Sequence, residues 1–279
     1  MPETNIIDGR KVAGRIEKET RREIAALGFE PGLGVILVGD DPASHLYVKL
    51  KQKACERVGI RFELSPFAAD ATEENILDNI RNLNKRDDIH AILVQLPLPK
   101  NMDTDRVIRA MDPAKDVDGF HPDNIKRLDD TDGDGFPGLT EGVIDLIHET
   151  GVDLNMKRVV IAANSPTFVL PLEMRLRQLQ ALPKFVHGDA PDITSQFHDA
   201  DIIITALGRP GLVTEDDIKE GAILIDVGTT KVGKKTIGDV DTESVRGKAS
   251  WLTPVPGGVG PVTVAMLLKN VVRLSKDRA

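Results

Sequence analysis

Hydrophobic and polar positions fall into two successive α/β alternations along the chain. Between Val12 and Leu27 charged residues fill one face, and Val12, Ile16, Ile24 and Leu27 supply apolar positions at three- and four-residue spacings, which predicts a helix. The run Gly34-Val-Ile-Leu-Val38 has the length and branching of a buried strand. Asp41 and Pro42 then read as N-cap and first residue of a second helix, ending near Val58. A strand at Ile60–Leu64, a helix at Glu73–Leu83 and a strand at Ala91–Gln95 complete the first alternation.

The second alternation follows the loop at Asp129–Gly138, with a helix at Glu141–Thr150, a strand at Arg158–Ala163, a helix at Val169–Leu179 and a strand at Lys184–His187. Short apolar strands at Ile202–Thr205 and Ala222–Asp226 precede the glycine-rich Pro254-Val-Pro-Gly-Gly-Val-Gly-Pro261 and a closing helix. Strands alternating with helices predict parallel sheets covered on their faces: a two-domain α/β protein, joined near residue 138. In such sheets ligands gather beyond the carboxyl ends of the strands, which is where chemistry is sought.

Composition narrows the function classes. At 279 residues the chain is long enough for two domains, and with 4% aromatic residues its cores must be mainly aliphatic. A net charge of −8 argues against binding to nucleic acid or to an anionic membrane surface. The single Cys55 cannot form an internal disulfide, the first residues lack the apolar run of a signal peptide, and no apolar stretch approaches a membrane span. A reducing, cytoplasmic setting is therefore expected.

Three polar constellations stand beside these elements. Tyr47 and Lys51 are four residues apart and share a helix face, although this spacing equally fits a solvated lysine beside a half-buried tyrosine. Gln95 ends a strand just before Pro97 and Pro99, which cannot donate to a sheet ladder, so the backbone leaves the sheet there. Asp118 lies in the Gly/Pro-bounded loop Lys115-Asp-Val-Asp118-Gly-Phe-His-Pro122, where it is either a turn former or an acceptor for paired N–H donors such as an aminopyrimidinone edge. The six histidines show no metal-type pairing, and no metal is expected. Asp130-Thr-Asp-Gly-Asp134 with Glu141 fits the spacing of a calcium loop, but Pro137 falls inside it and a solvated acidic turn is the preferred reading.

Four ordered motifs resemble one family over essentially the whole chain. Gly39-Asp-Asp-Pro-Ala-Ser44-His-Leu-Tyr47-Val-Lys-Leu-Lys51, Val94-Gln-Leu-Pro-Leu-Pro99, Lys115–Pro122 and Thr253-Pro-Val-Pro-Gly-Gly-Val-Gly-Pro-Val-Thr263 are similar to the bifunctional methylenetetrahydrofolate dehydrogenase/cyclohydrolase family. The resemblance implies a catalytic Lys51 supported by Gln95, with Tyr47 stacking on the folate and Asp118 holding the pterin. Ser44, Leu96, Pro97, Pro256, Gly257, Gly258 and Thr263 would complete the tetrahydrofolate site. NADP would be the cofactor, at family positions Ala162, Ala163, Asn164, His187 and Thr229, and the protein would be a homodimer. The implied domains are a folate domain at 1–138, completed by a C-terminal helix at 261–279, and a Rossmann-like domain at 139–260.

Departures concentrate in the second domain. Where the family has a Gly-x-Ser turn and a further glycine, this chain reads Ala162-Ala-Asn164-Ser-Pro166: added Cβ atoms hinder approach of a pyrophosphate, and Pro166 removes an amide donor. Asp189 places a carboxylate where an adenosine 2′-phosphate is expected, Thr229 replaces an apolar residue, and Pro137-Gly-Leu-Thr-Glu-Gly142 departs from the family's Pro-Cys-Thr-Pro-x-Gly. The leading expectation is a methenyltetrahydrofolate cyclohydrolase with weak or absent dehydrogenase activity. The alternatives are a fully bifunctional enzyme using NADP or NAD, and a non-catalytic folate-binding homologue.

Overall fold

A computed structural model describes residues 3–128, 135–233 and 235–276. In chain order the elements are β1 (Asn5–Ile6), α1 (Gly9–Leu27), β2 (Gly32–Val38), α2 (Pro42–Val58), β3 (Arg61–Phe67), α3 (Glu73–Asn84), β4 (Ala91–Val94), α4 (Thr104–Arg109), α5 (Pro122–Arg127) and α6 (Gly138–His148). The chain continues with β5 (Arg158–Ala163), α7 (Pro166–Gln178), β6 (Leu182–His187), β7 (Ile202–Ala206), β8 (Ile223–Asp226), β9 (Thr230–Val232), β10 (Lys235–Ile237), α8 (Thr242–Val245), β11 (Trp251–Leu252) and α9 (Val259–Lys276). It divides into two compact units, Gly14–Gly138 with Val264–Ala279, and Leu139–Thr263 with Met1–Ala13.

The first of these units is built on a three-stranded parallel sheet of order β3-β2-β4. β2 is central and buried along its whole length, so it reads as a continuous apolar run rather than an alternating one. One face carries Leu33, Val35 and Leu37 against Val48, Cys55 and Val58 of α2 and Leu267, Leu268 and Val271 of α9. On the other, Ile36 and Val38 pack with Ile76, Ile80 and Leu83 of α3. α2 starts as expected, Asp41 accepting from the Ser44 amide at 2.8 Å with Pro42 next. It stops at Gly59, whose φ of +91° closes the helix in the left-handed region.

The other unit carries a six-stranded sheet of order β1-β11-β8-β7-β5-β6, with every pair parallel. From β5 the chain goes to β6 on one side and then crosses to β7 on the other, so the strand order reverses between β5 and β7. In open α/β sheets that reversal is where a ligand crevice opens.

Several boundaries differ from the sequence expectation, and three of them bear on the units and the crevice. Residues 1–13 group with the six-stranded unit rather than with the folate domain, because β1 pairs in parallel with β11. α6 begins at Gly138 instead of Glu141, and α7 at Pro166 instead of Val169. For α7 the missed signal was Ser165 as N-cap followed by Pro166, a residue suited to the first helical position because its missing N–H is not needed there.

Candidate active site

Helix α2 presents Lys51, and β4 ends one residue before Gln95. Their side chains meet: Lys51 Nζ donates to Gln95 Oε1 at 2.9 Å, while Gln95 Nε2 donates to the Leu96 carbonyl at 2.7 Å. The second bond orients the amide, so its oxygen rather than its nitrogen faces the lysine. Gln95 owes its place to the end of the ladder, where its amide still donates to the Ile36 carbonyl at 2.9 Å before the chain turns through a cis Leu96–Pro97 bond. Burial holds the Lys51 ammonium below its ordinary pKa, opposed in part by the negative charge of Asp118. Tyr47, one turn earlier on the same helix, is 41% exposed, which leaves its ring available for stacking.

Asp118 sits in the loop between α4 and α5 and lines a small pocket with Ile92, Val94, Leu96, Ile108, Asp116 and Phe120. Burial is the largest cause of its shift, pushing its pKa up to about 6; Lys51 opposes the shift and Asp116 adds to it. Among the described residues, none donates a hydrogen bond to its carboxylate. A carboxylate without a hydrogen-bond donor, set among apolar side chains and a second carboxylate, is costly unless something else satisfies it.

The other expected folate-site residues are placed as follows. Ser44 is buried in the first turn of α2, its amide held by Asp41, and Pro97 is exposed beyond Gln95. In the six-stranded unit Pro256 follows a cis bond, Gly257 has φ +115° with the Arg10 guanidinium against it, and Gly258 donates to the Pro254 carbonyl at 2.8 Å. Thr263 Oγ1 donates to the Gly260 carbonyl at 2.8 Å.

Of the nucleotide positions, Ala162 and Ala163 are buried in β5, whereas Asn164 is exposed at the point where strand order reverses. Asn164 Nδ2 donates to the Leu207 carbonyl at 2.9 Å, which ties the loop after β5 to the loop after β7 across the crevice mouth. The same side chain lies over Gly188, where a Cβ would come within 2.0 Å of Asn164 Oδ1. α7 still aims its N-terminus at the crevice with exposed residues Ser165 and Thr167, so amides remain for a phosphate although Pro166 offers none. These residues fit a dinucleotide, with Asn164 as the obstacle. His187 is half-exposed at the end of β6, its ring accepting from the Asp189 amide at 3.2 Å, and Thr229 is exposed after β8. Asp189 stands 3.9 Å from the Arg209 guanidinium, a cation that sequence reasoning did not weigh against the repulsion of a 2′-phosphate.

Residues 129–134 of the acidic loop lie outside the described residues. Its Glu141 is engaged elsewhere, accepting from Arg175 Nε at 3.0 Å. Among the described residues no cluster could hold a metal ion.

The description of a tetrahydrofolate dehydrogenase/cyclohydrolase catalytic domain matches residues 7–118, and that of the same family's NAD(P)-binding domain matches residues 137–279. The chain belongs to the tetrahydrofolate dehydrogenase/cyclohydrolase family. Bifunctional protein FolD of Nautilia profundicola is 43% identical over 278 residues, covering 98% of each chain, and that of Moorella thermoacetica is 44% identical over 280 residues, covering 99% of this chain and all of the relative. Among solved structures, the Campylobacter jejuni bifunctional FolD superposes with a TM-score of 0.94 at 39% identity, over 99% of this chain and 100% of that one. The Trypanosoma brucei FolD, solved with NADP cofactor and an inhibitor, gives 0.95 at 38% identity over 99% of both chains.

Two buried charged residues next to Asp118 escaped sequence reasoning although they lie inside a quoted motif. Lys115 and Asp116 are 1% and 2% exposed. The available signal was two opposite charges set beside the apolar Val117 in a loop too short to solvate both.

Proposed function

We propose that this enzyme hydrolyses 5,10-methenyltetrahydrofolate to 10-formyltetrahydrofolate at Lys51, and that the same folate site supports 5,10-methylenetetrahydrofolate dehydrogenase activity with NADP as the weaker partner reaction. The observation that carries the reading is the bond from Lys51 to Gln95, a part-buried amine held at one angle with the Asp118 carboxylate close enough to act on its charge.

In the hydrolysis, water forms a bond to the one-carbon centre of the cationic substrate and gives a proton to the neutral Lys51 amine. The bond from that carbon to the ring nitrogen then breaks. The ring nitrogen takes the proton back from Lys51, the hydroxyl proton leaves to solvent, and the formyl group remains. A lysine near its ordinary pKa of about 10.4 would hold its proton too tightly for the first step. Burial and the positive charge of the substrate both favour the neutral amine. Gln95 accepts from the amine and fixes its direction, Asp118 accepts paired N–H donors of the pterin edge, and Tyr47 stacks on the ring.

For the second activity, bound NADP would supply a hydride acceptor. The exposed N-terminus of α7, His187 and Thr229 would hold it. Asn164 across the crevice and the missing amide of Pro166 favour weak coenzyme binding. A homodimer belongs to the same reading, as does a cytoplasmic setting, which the acidic charge and single cysteine support. Among the described residues no helix is long and apolar enough to cross a membrane.

A paired assay tests the proposal: absorbance decay of methenyltetrahydrofolate reports hydrolysis, and NADP or NAD reduction with methylenetetrahydrofolate reports dehydrogenation. Hydrolysis with slow NADP reduction is expected, and silence in both assays would leave a folate-binding homologue.

A further inference from the structure

The loop that carries Asp118 is held by charges the reaction does not use. Lys115, at 1% exposure, turns away from the cavity and donates through Nζ to the carbonyls of Leu83, Asn84 and Arg86 at 3.0, 2.9 and 2.6 Å, where α3 ends. Its cation thereby sits at the negative end of a helix, where unpaired carbonyls gather. The next residue, Asp116, is as deeply buried and turns its carboxylate onto its own loop. Oδ1 accepts from the Gly119 amide at 3.1 Å, and Oδ2 accepts from the His121 amide at 2.7 Å and from Asn124 Nδ2 at 3.1 Å. The two amides flank Asp118 on its C-terminal side, and Gly119 makes the turn at φ +76° with Pro137 packed against it. The contrast with Asp118 is sharp: two carboxylates line one cavity, one satisfied by two amides of its own loop and the Asn124 side chain of α5, the other by no donor among the described residues.

We infer that Asp116 is a positioning residue for folate binding, a clamp that wraps residues 116–121 around its carboxylate and so fixes where Asp118 meets the pterin. This rests on the reading of Asp118 as the pterin acceptor. Asp116 itself does not serve that purpose, because its oxygens are already occupied by N–H donors, whose loss would leave buried amides unpaired. The clamp acts on placement and leaves the Lys51–Gln95 pair untouched, so its loss affects binding of the folate more than turnover once bound.

The test is Asp116→Asn in the full-length enzyme, measured by hydrolysis kinetics and by calorimetry with 5-formyltetrahydrofolate as a non-reacting probe. Asparagine keeps the size but offers N–H where the loop amides need an acceptor. The expected result is a rise of at least about tenfold in both KM and the probe's Kd, with kcat within about threefold of the parent enzyme. A lowered melting temperature with unchanged KM and Kd would overturn the proposal, since that is what a purely structural residue gives. Asp118→Ala serves as the control. If it leaves the probe's Kd unchanged, the pterin reading fails and the clamp with it; if it weakens binding while Asp116→Asn does not, the clamp alone fails. Should Asp116→Asn not fold, Asn124→Ala removes one donor to the same carboxylate, and a rise of about threefold in Kd is expected, with no change overturning the inference.

Discussion

Gln95 Oε1 lies 2.9 Å from Lys51 Nζ, and the amide that supplies it is fixed from behind by the Leu96 carbonyl. A strand end and a helix are thereby joined through one side-chain hydrogen bond, which the proposed hydrolysis uses as its acid/base device. Gln95→Ala leaves the part-buried amine without its acceptor. The expected loss in hydrolysis is about 10- to 100-fold in kcat, corresponding to a charge-assisted hydrogen bond of roughly 1.5–3 kcal/mol. Gln95→Glu places a second carboxylate beside the amine, raises its pKa and should move the alkaline requirement of hydrolysis upward. Steady-state rates of the two variants against pH check both expectations.

The pH dependence follows from opposite shifts of neighbouring groups. Asp118 is raised to about 6, so its carboxylate is ionised above that pH and protonated below it. Folate binding should therefore weaken as pH falls through about 6, because a protonated acid cannot accept paired donors. Lys51 is lowered, so the neutral amine becomes available at a pH below that of an ordinary lysine, and hydrolysis should rise with pH on the way to that value. The two groups are coupled, and Asp118→Asn, which removes the opposing negative charge, should move the alkaline limb of the lysine to lower pH. Calorimetric Kd and kcat measured between about pH 5 and 9 separate the two limbs.

Coenzyme binding is predicted to be limited by one side chain. Asn164→Gly removes the bridge to Leu207 and restores a glycine near the reversal of strand order. NADP affinity, followed by quenching of the single Trp251 or by calorimetry, should tighten several-fold, by about 1 kcal/mol or more. An unchanged or weaker affinity would show that Asn164 contributes a contact rather than an obstacle. Conversely, Gly188→Ala brings a Cβ onto Asn164 Oδ1 and should be tolerated better in the Asn164→Gly background.

Two buried carboxylates in the six-stranded unit make a stability prediction. Asp226 accepts from Gly228 N at 2.9 Å and Val240 N at 2.9 Å, and a Cβ at Gly238 would come within 2.0 Å of its Oδ2. Asp239 accepts from the amides of Leu207 and Arg209 at 2.7 and 2.6 Å, and a Cβ at Gly228 would lie 2.3 Å from its carboxyl carbon. Gly238→Ala or Gly228→Ala must push a buried, hydrogen-bonded carboxylate aside. Each should cost at least about 1–3 kcal/mol, read as a lower denaturation midpoint without loss of the Lys51–Gln95 chemistry.

Much of this was legible from residue pattern. The apolar run of β2, the Asp41–Pro42 start of α2 and the place of Gln95 at a strand end follow from local rules that tertiary structure did not override. β1 and β11 were invisible because two residues carry no periodicity, and only their pairing with each other and with β8 makes them strands. Lys51 could not be distinguished from a surface lysine by spacing; its partners Gln95 and Asp118 come from distant parts of the chain. Lys115 and Asp116 were hidden for a related reason. Their partners are backbone groups, which leave no side-chain signature in a sequence.

The most direct test of the central claim is the Lys51→Met enzyme, with hydrolysis of methenyltetrahydrofolate followed by absorbance and binding of 5-formyltetrahydrofolate followed by calorimetry. Methionine keeps the length and loses the proton carrier, so the rate should fall by about 10²–10⁴ while the probe still binds within about tenfold of the parent enzyme. Hydrolysis persisting within about threefold of the parent rate, with binding intact, would contradict the assignment of the proton shuttle to Lys51.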